Sequence, residues 1–134
     1  MNKIINAFII VLTLFVVYIV CLLVYPYKVH ELDTIEVLTP VVKAGGMLIV
    51  HTEGERFTDM PCAVSTQLIN DSIILLPDTV SSHGKGKINV DWPVRVPKYA
   101  ECGEYRLIFT LTFKVNPIRT ITKRYETEIF KVIK

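Results

Sequence analysis

No acidic residue precedes Glu31, and no charge of either sign falls between Lys3 and Lys28. A helix on the surface of a soluble domain needs a polar face, so this absence excludes an ordinary amphipathic helix at the N-terminus. Only Asn6, Thr13, Tyr18 and Cys21 dilute the apolar run from Ile4 to Tyr25. About 22 residues rising 1.5 Å each span roughly 33 Å, enough for a ~30 Å hydrocarbon core. The run reads as a transmembrane helix over residues 4–26, behind a stub of residues 1–3.

A cleaved secretory signal is the competing reading. Such a signal has a shorter apolar stretch that ends at small residues. Here Cys21-Leu22-Leu23-Val24-Tyr25-Pro26 offers no small pair, and Val20 is β-branched where a lipoprotein signal wants a small residue. A retained anchor is therefore favoured. Lys3 and the α-amine lie on one flank, and Lys28 is followed by Glu31, Asp33 and Glu36 on the other. Positive charge prefers the cytoplasm and acidic residues count for little. The expected topology is single-pass in the inner (plasma) membrane. The N-terminus is cytoplasmic and the C-terminal part periplasmic or extracellular.

Cysteine and histidine are scarce, at three each. Cys21 lies in the apolar run, so only Cys62 and Cys102 could pair, and no disulfide framework of a small secreted scaffold is possible. In a two-sheet order those two cysteines fall at opposite ends, which argues against a bond between them. His30, His51 and His83 share no metal-ligand spacing, and no carboxylate or nucleophile is evidently placed to orient them. No metal, cofactor or catalytic residue is expected. His83-Gly84-Lys85-Gly86-Lys87 lacks the longer glycine spacing and the helix of a phosphate-binding loop, and reads as a solvated connection. Glu53 and Glu55 flank Gly54 in what reads as an exposed turn. Asn70-Asp71-Ser72 fits an N-glycosylation sequon as well as a turn. The 15 basic and 13 acidic residues leave a formal charge of +2, which gives no argument for nucleic acid.

What remains is β-rich. Residues 27–34 are polar without an apolar period and read as a linker. Beyond them Val, Ile, Thr, Tyr and Phe dominate, broken at short intervals by Gly, Pro, Asn and Asp. Expected strands are 35–38, 41–43, 46–52, 63–69, 72–76, 87–96, 104–115 and 118–133. In the penultimate one, Tyr105, Leu107, Phe109, Leu111, Phe113 and Val115 share one face, while Arg106, Thr110, Thr112 and Lys114 share the other. That alternation marks a sheet with one face in a core. Asn70-Asp71 and Asn116-Pro117 are turn signals.

About seven short strands in about 100 residues suit one antiparallel sandwich over residues 35–134. The segment Glu101-Cys102-Gly103-Glu104-Tyr105, opening the long apolar strand, resembles the tyrosine corner of immunoglobulin-like and fibronectin-III-like domains. Leu107 stands where an antibody-type domain has its second core cysteine, and Trp92 comes too late for that pattern. The resemblance is thus to disulfide-free sandwiches. With the anchor and the run Phe113-Lys114-Val115-Asn116-Pro117-Ile118-Arg119-Thr120-Ile121, the chain resembles small membrane-anchored Ig-like proteins encoded by tailed phages. That resemblance implies phage–host envelope interaction as a setting and carries no functional residue with it.

Lys114, Arg119, Lys123 and Arg124 gather around the Asn116-Pro117 turn. Surface charge that keeps an edge strand unpaired is the ordinary reading. The sharper one places this hairpin beside the anchor, facing anionic headgroups or the rim of a partner protein. The expected function is a non-enzymatic, membrane-anchored module that binds a protein or envelope component. A structural subunit of an envelope or virion assembly is the alternative.

Overall fold

The computed structural model describes residues 2–82 and 84–134 of the chain. His83, the first residue of the glycine-lysine connection, lies outside the described residues. Helix α1 runs over Asn2–Val24, with no residue buried against the rest of the protein. It is long and apolar enough to cross a membrane. Thr13 returns its hydroxyl to the Ile9 carbonyl at 2.8 Å, so the one hydroxyl of the run's middle is satisfied within the helix.

Ten strands follow: β1 (His30–Val37), β2 (Val41–Lys43), β3 (Met47–Arg56), β4 (Cys62–Ile69), β5 (Ile73–Leu75), β6 (Thr79–Ser81), β7 (Gly86–Arg95), β8 (Gly103–Asn116), β9 (Arg119–Glu126) and β10 (Phe130–Ile133). One sheet has the order β1-β3-β7. The other has the order β2-β10-β8-β4-β5, with β6 also on β4 and β9 also on β8. Strand β2 joins β10 in parallel, whereas the other pairs are antiparallel.

The two sheets share the larger of two core clusters. Val37, Leu48, Val50 and Val94 from the first meet Leu68, Tyr105, Leu107, Phe109, Phe130 and Val132 from the second. Burying each such side chain contributes about 1.5–3 kcal/mol, so the alternation in β3 and β8 largely determines which way each sheet faces. Tyr105 donates its hydroxyl to the Glu101 carbonyl at 2.8 Å and stacks on Phe130, which pins the turn before β8. The expected apolar face of the penultimate strand is the one the core uses.

The strand count exceeds the expected seven for identifiable reasons. The first is that 35–38 and 41–43, expected as one strand broken at Pro40, join different sheets as β1 and β2. The last expected strand, 118–133, breaks at Thr127, whose backbone and hydroxyl both bond Leu107 before β10 continues along β8. Short β6 was unmarked because three residues carry no period.

Two expectations at the start of the domain fail. Residues 27–34 are not a free linker, because Val29 is buried and β1 already begins at His30. The register of β1 against β3 shifts between Leu32 and Thr34, and this bulge interrupts the alternation that would have marked the strand. Glu53-Gly54-Glu55 is not a turn but lies within β3. A Cβ at Gly54 would come within 2.1 Å of the Glu31 carbonyl oxygen, so the glycine serves the close approach of the bulged strand. The connection after β3 lies at residues 57–61 instead.

Candidate functional site

Three chemically distinct groups of side chains emerge from this arrangement. The first joins the helix to the domain. Residue 26 is proline and has no N–H, so the Leu22 carbonyl lacks the donor that would close the last helical turn. The Asn116 side-chain amide supplies it at 2.8 Å, and Arg119 bonds the Tyr25 carbonyl. The Arg119 guanidinium also lies 5.7 Å from the Tyr27 ring centre. A cation at a helix C-terminus is favoured by the backbone dipole. Asn116 keeps its own turn as well, because its Oδ1 accepts from the Ile118 N–H at 3.1 Å.

The second group lines a cleft of about 490 Å³ between the two sheets, open between edge strand β7 and short β6. Leu32, Val64, Val90, Trp92, Phe109 and Leu111 form apolar wall, and Arg56, His30, Cys62 and Ser81 supply polar atoms. Arg56 occupies an inward position of β3, in the series Leu48, Val50, Thr52, Gly54, and is 2% exposed. Its Nε donates to the Thr58 carbonyl at 3.0 Å, Nη1 to Ser81 Oγ at 3.3 Å, and Nη2 to the Met60 carbonyl. The guanidinium also lies 5.4 Å from the Phe113 ring centre.

His30 is buried nearby, with Nδ1 2.9 Å from the Tyr125 hydroxyl. Burial first, then the charges of Arg56 and Lys123, push its pKa down to about 4, so the ring is neutral at pH 7. The Tyr125 hydroxyl donates to the His30 carbonyl oxygen at 3.3 Å, so it lies between the ring and the backbone of the same residue. Burial raises the Cys62 thiol and keeps it protonated, against the opposing pull of Arg56 and Ser81.

The third group lies on the outer face of the three-stranded sheet. His51 stands between two carboxylates, Nε2 3.0 Å from Glu53 Oε1 and Nδ1 against Asp91 Oδ1. The hydrogen bond to Glu53, then that to Asp91, raises its pKa. The expectation that no carboxylate orients a histidine is therefore wrong for His51. Its cause is cross-strand pairing, His51 with Asp91, which linear spacing does not reveal. No group of three metal-ligating side chains assembles among the described residues.

The basic residues singled out from sequence divide. The register sets Lys114 beside Thr120 and Asn116 beside Arg119, with an irregularity between them. Lys114 and Arg124 belong to the outer face, whereas Arg119 and Lys123 share the face of Ile121 and Tyr125. Arg119 is engaged with the helix end, and Arg124 lies 3.4 Å from Glu126. Lys114 and Lys123 are exposed and free of ion pairs among the described residues. The three cysteines are unpaired, with Cys62 buried and Cys102 exposed at opposite ends of β8. Arg56 was not marked by the sequence, because the expected strand ended at residue 52 and Glu53-Gly54-Glu55 carries the composition of a turn, whereas β3 runs on to Arg56.

No protein-family model matches the chain, and no curated protein does. Among solved structures the chain is similar to a β-glucosidase from Listeria innocua, at 11% identity and a TM-score of 0.39. The match covers 73% of this chain and 15% of that one. The same enzyme in complex with glucose matches at 10% identity and a TM-score of 0.38, with the same coverage. The chain thus spans about 15% of the length of the enzyme it matches.

Proposed function

We propose that the chain is a single-pass, membrane-anchored Ig-like module of the fibronectin-III kind that binds a protein or envelope component outside the inner membrane. The observation that carries this reading is the direct seating of the domain on the end of an exposed apolar helix through Asn116 and Arg119. The sheet orders β1-β3-β7 and β10-β8-β4-β5, with the Tyr105–Glu101 bond, support the Ig-like assignment. Retention of the helix is supported by the same seat, since cleavage near Tyr25 would remove a bonded partner of Arg119.

Short tethering holds the β8–β9 hairpin at the bilayer surface, and Lys114, with Arg124 on the same outer face, then reaches the rim of a partner protein. Phage–host envelope interaction is the setting this reading favours. The test is photo-crosslinking from position 114 of the full chain in membranes. One discrete heterologous adduct, lost in Arg124→Glu on the same face, is the expected result. A ladder of self-adducts would favour the structural-subunit alternative, and no adduct at all would overturn partner binding at this hairpin.

A further inference from the structure

A guanidinium carries five N–H donors, and the contacts of Arg56 use three of them, leaving one hydrogen on Nη1 and one on Nη2. No carboxylate among the described residues forms an ion pair with it. A charge at 2% exposure that faces only neutral acceptors is costly unless an anion joins it. The nearest titratable ring, His30, is neutral, so Arg56 is the one buried cation of the cleft among the described residues. Lys87, exposed, also contributes to the lining.

One N–H on each terminal nitrogen can meet the two oxygens of one carboxylate. Apolar side chains make up much of the remaining wall, with Thr52, Thr79, Ser82 and Lys87 among them, and about 490 Å³ falls within the range of small-molecule sites. We propose that the cleft binds a carboxylate-headed amphiphile of the fatty-acid class, its carboxylate on Arg56 and its chain along Leu32, Val64, Val90, Trp92, Phe109 and Leu111. The charge complementarity selects the headgroup and the aromatic and aliphatic wall selects the tail. The cleft is separate from the hairpin surface proposed above, and either can be occupied without the other.

Trp92 is the only tryptophan of the chain and lines the cleft, so its emission reports on occupancy directly. The full chain, held in amphipol, is titrated in parallel with decanoate, decanol and inorganic phosphate. Decanoate should produce a saturable change, decanol one at least ~10-fold weaker, and phosphate none. Arg56→Met should remove the preference for decanoate over decanol. Val90→Phe, at a partly exposed wall position that leaves Arg56 untouched, should weaken decanoate binding in a protein whose fold is intact. Equal responses to decanoate and decanol would overturn the role of Arg56. A phosphate response equal to that of decanoate would overturn the amphiphile in favour of a simple anion site. Unchanged decanoate binding in Val90→Phe would overturn the cleft as its location.

Discussion

The side-chain amide of Asn116 donates a 2.8 Å hydrogen bond to the carbonyl oxygen of Leu22, joining the β8–β9 turn to the last turn of α1. These residues are 94 positions apart, and the bond exists because Pro26 cannot supply the usual donor. The turn residue of the domain thereby acts as the C-cap of the helix. This is a stiffer connection than the flexible linker that residues 27–34 suggested. Val29 in the core and the Phe57 N–H bonded to its carbonyl reinforce it.

Asn116→Asp separates the cap from the turn, because it keeps the oxygen that accepts from Ile118 and removes the donor to Leu22. It also brings a negative charge to a helix C-terminus, which is unfavourable. Hydrogen exchange at residues 22–29 should quicken, with a loss of about 1 kcal/mol in local stability. Unchanged exchange there would mean that the bond does not hold the helix end.

Gly54→Ala tests the bulge in β1. The added Cβ would meet the Glu31 carbonyl oxygen at 2.1 Å and the Leu32 Cα at 2.7 Å, both backbone atoms. The variant should lose about 1–3 kcal/mol or more in denaturant unfolding, because backbone must shift to admit it. A midpoint equal to that of the parent would contradict the close approach.

Legibility in the sequence followed the strength of local periodicity. Helix α1 and the core face of β8 were readable because each repeats one rule over many residues. Tyr105 was readable from its place after Gly103, and its hydroxyl does bond Glu101. Strand β1 was not, since its bulge at Leu32–Thr34 breaks the period-2 signal and its outer face is acidic. Gly54 between two glutamates carries the composition of a turn, and only the neighbouring strand explains it. The pairing of His51 with Asp91, and of Arg56 with Ser81, arises from folding the chain back on itself.

Tyr105→Phe removes one donor and leaves the ring packed on Phe130. The Glu101 carbonyl then loses its partner, which should cost roughly 1–2 kcal/mol by equilibrium denaturation. An unchanged midpoint would show that the hydroxyl contributes nothing to the turn.

The pH dependence follows from His30. Its folded pKa of about 4 lies below the ordinary 6.5, so the unfolded chain binds the extra proton between those values. Its contribution is complete above pH 6.5 and is lost as pH falls toward 4. The loss should be roughly 1–3 kcal/mol after allowance for partial screening by solvent, and should vanish in His30→Gln. His51 acts in the opposite sense, since its raised pKa gives stability below pH 6.5 that is lost as pH rises through the folded value. A stability profile whose acid limb is identical in His30→Gln and parent would contradict the assignment.

The most direct test of the anchored, outward-facing module uses the cysteines already present. Cys102 is exposed, Cys62 is buried with its thiol held protonated, and Cys21 lies within the apolar helix. Spheroplasts expressing the full chain are treated with a reductant and then a membrane-impermeant maleimide, and the purified protein is weighed intact. The account predicts the mass of the unprocessed chain carrying a single label, at Cys102. Labelling only after lysis, or a mass lacking the residues of α1, would contradict it.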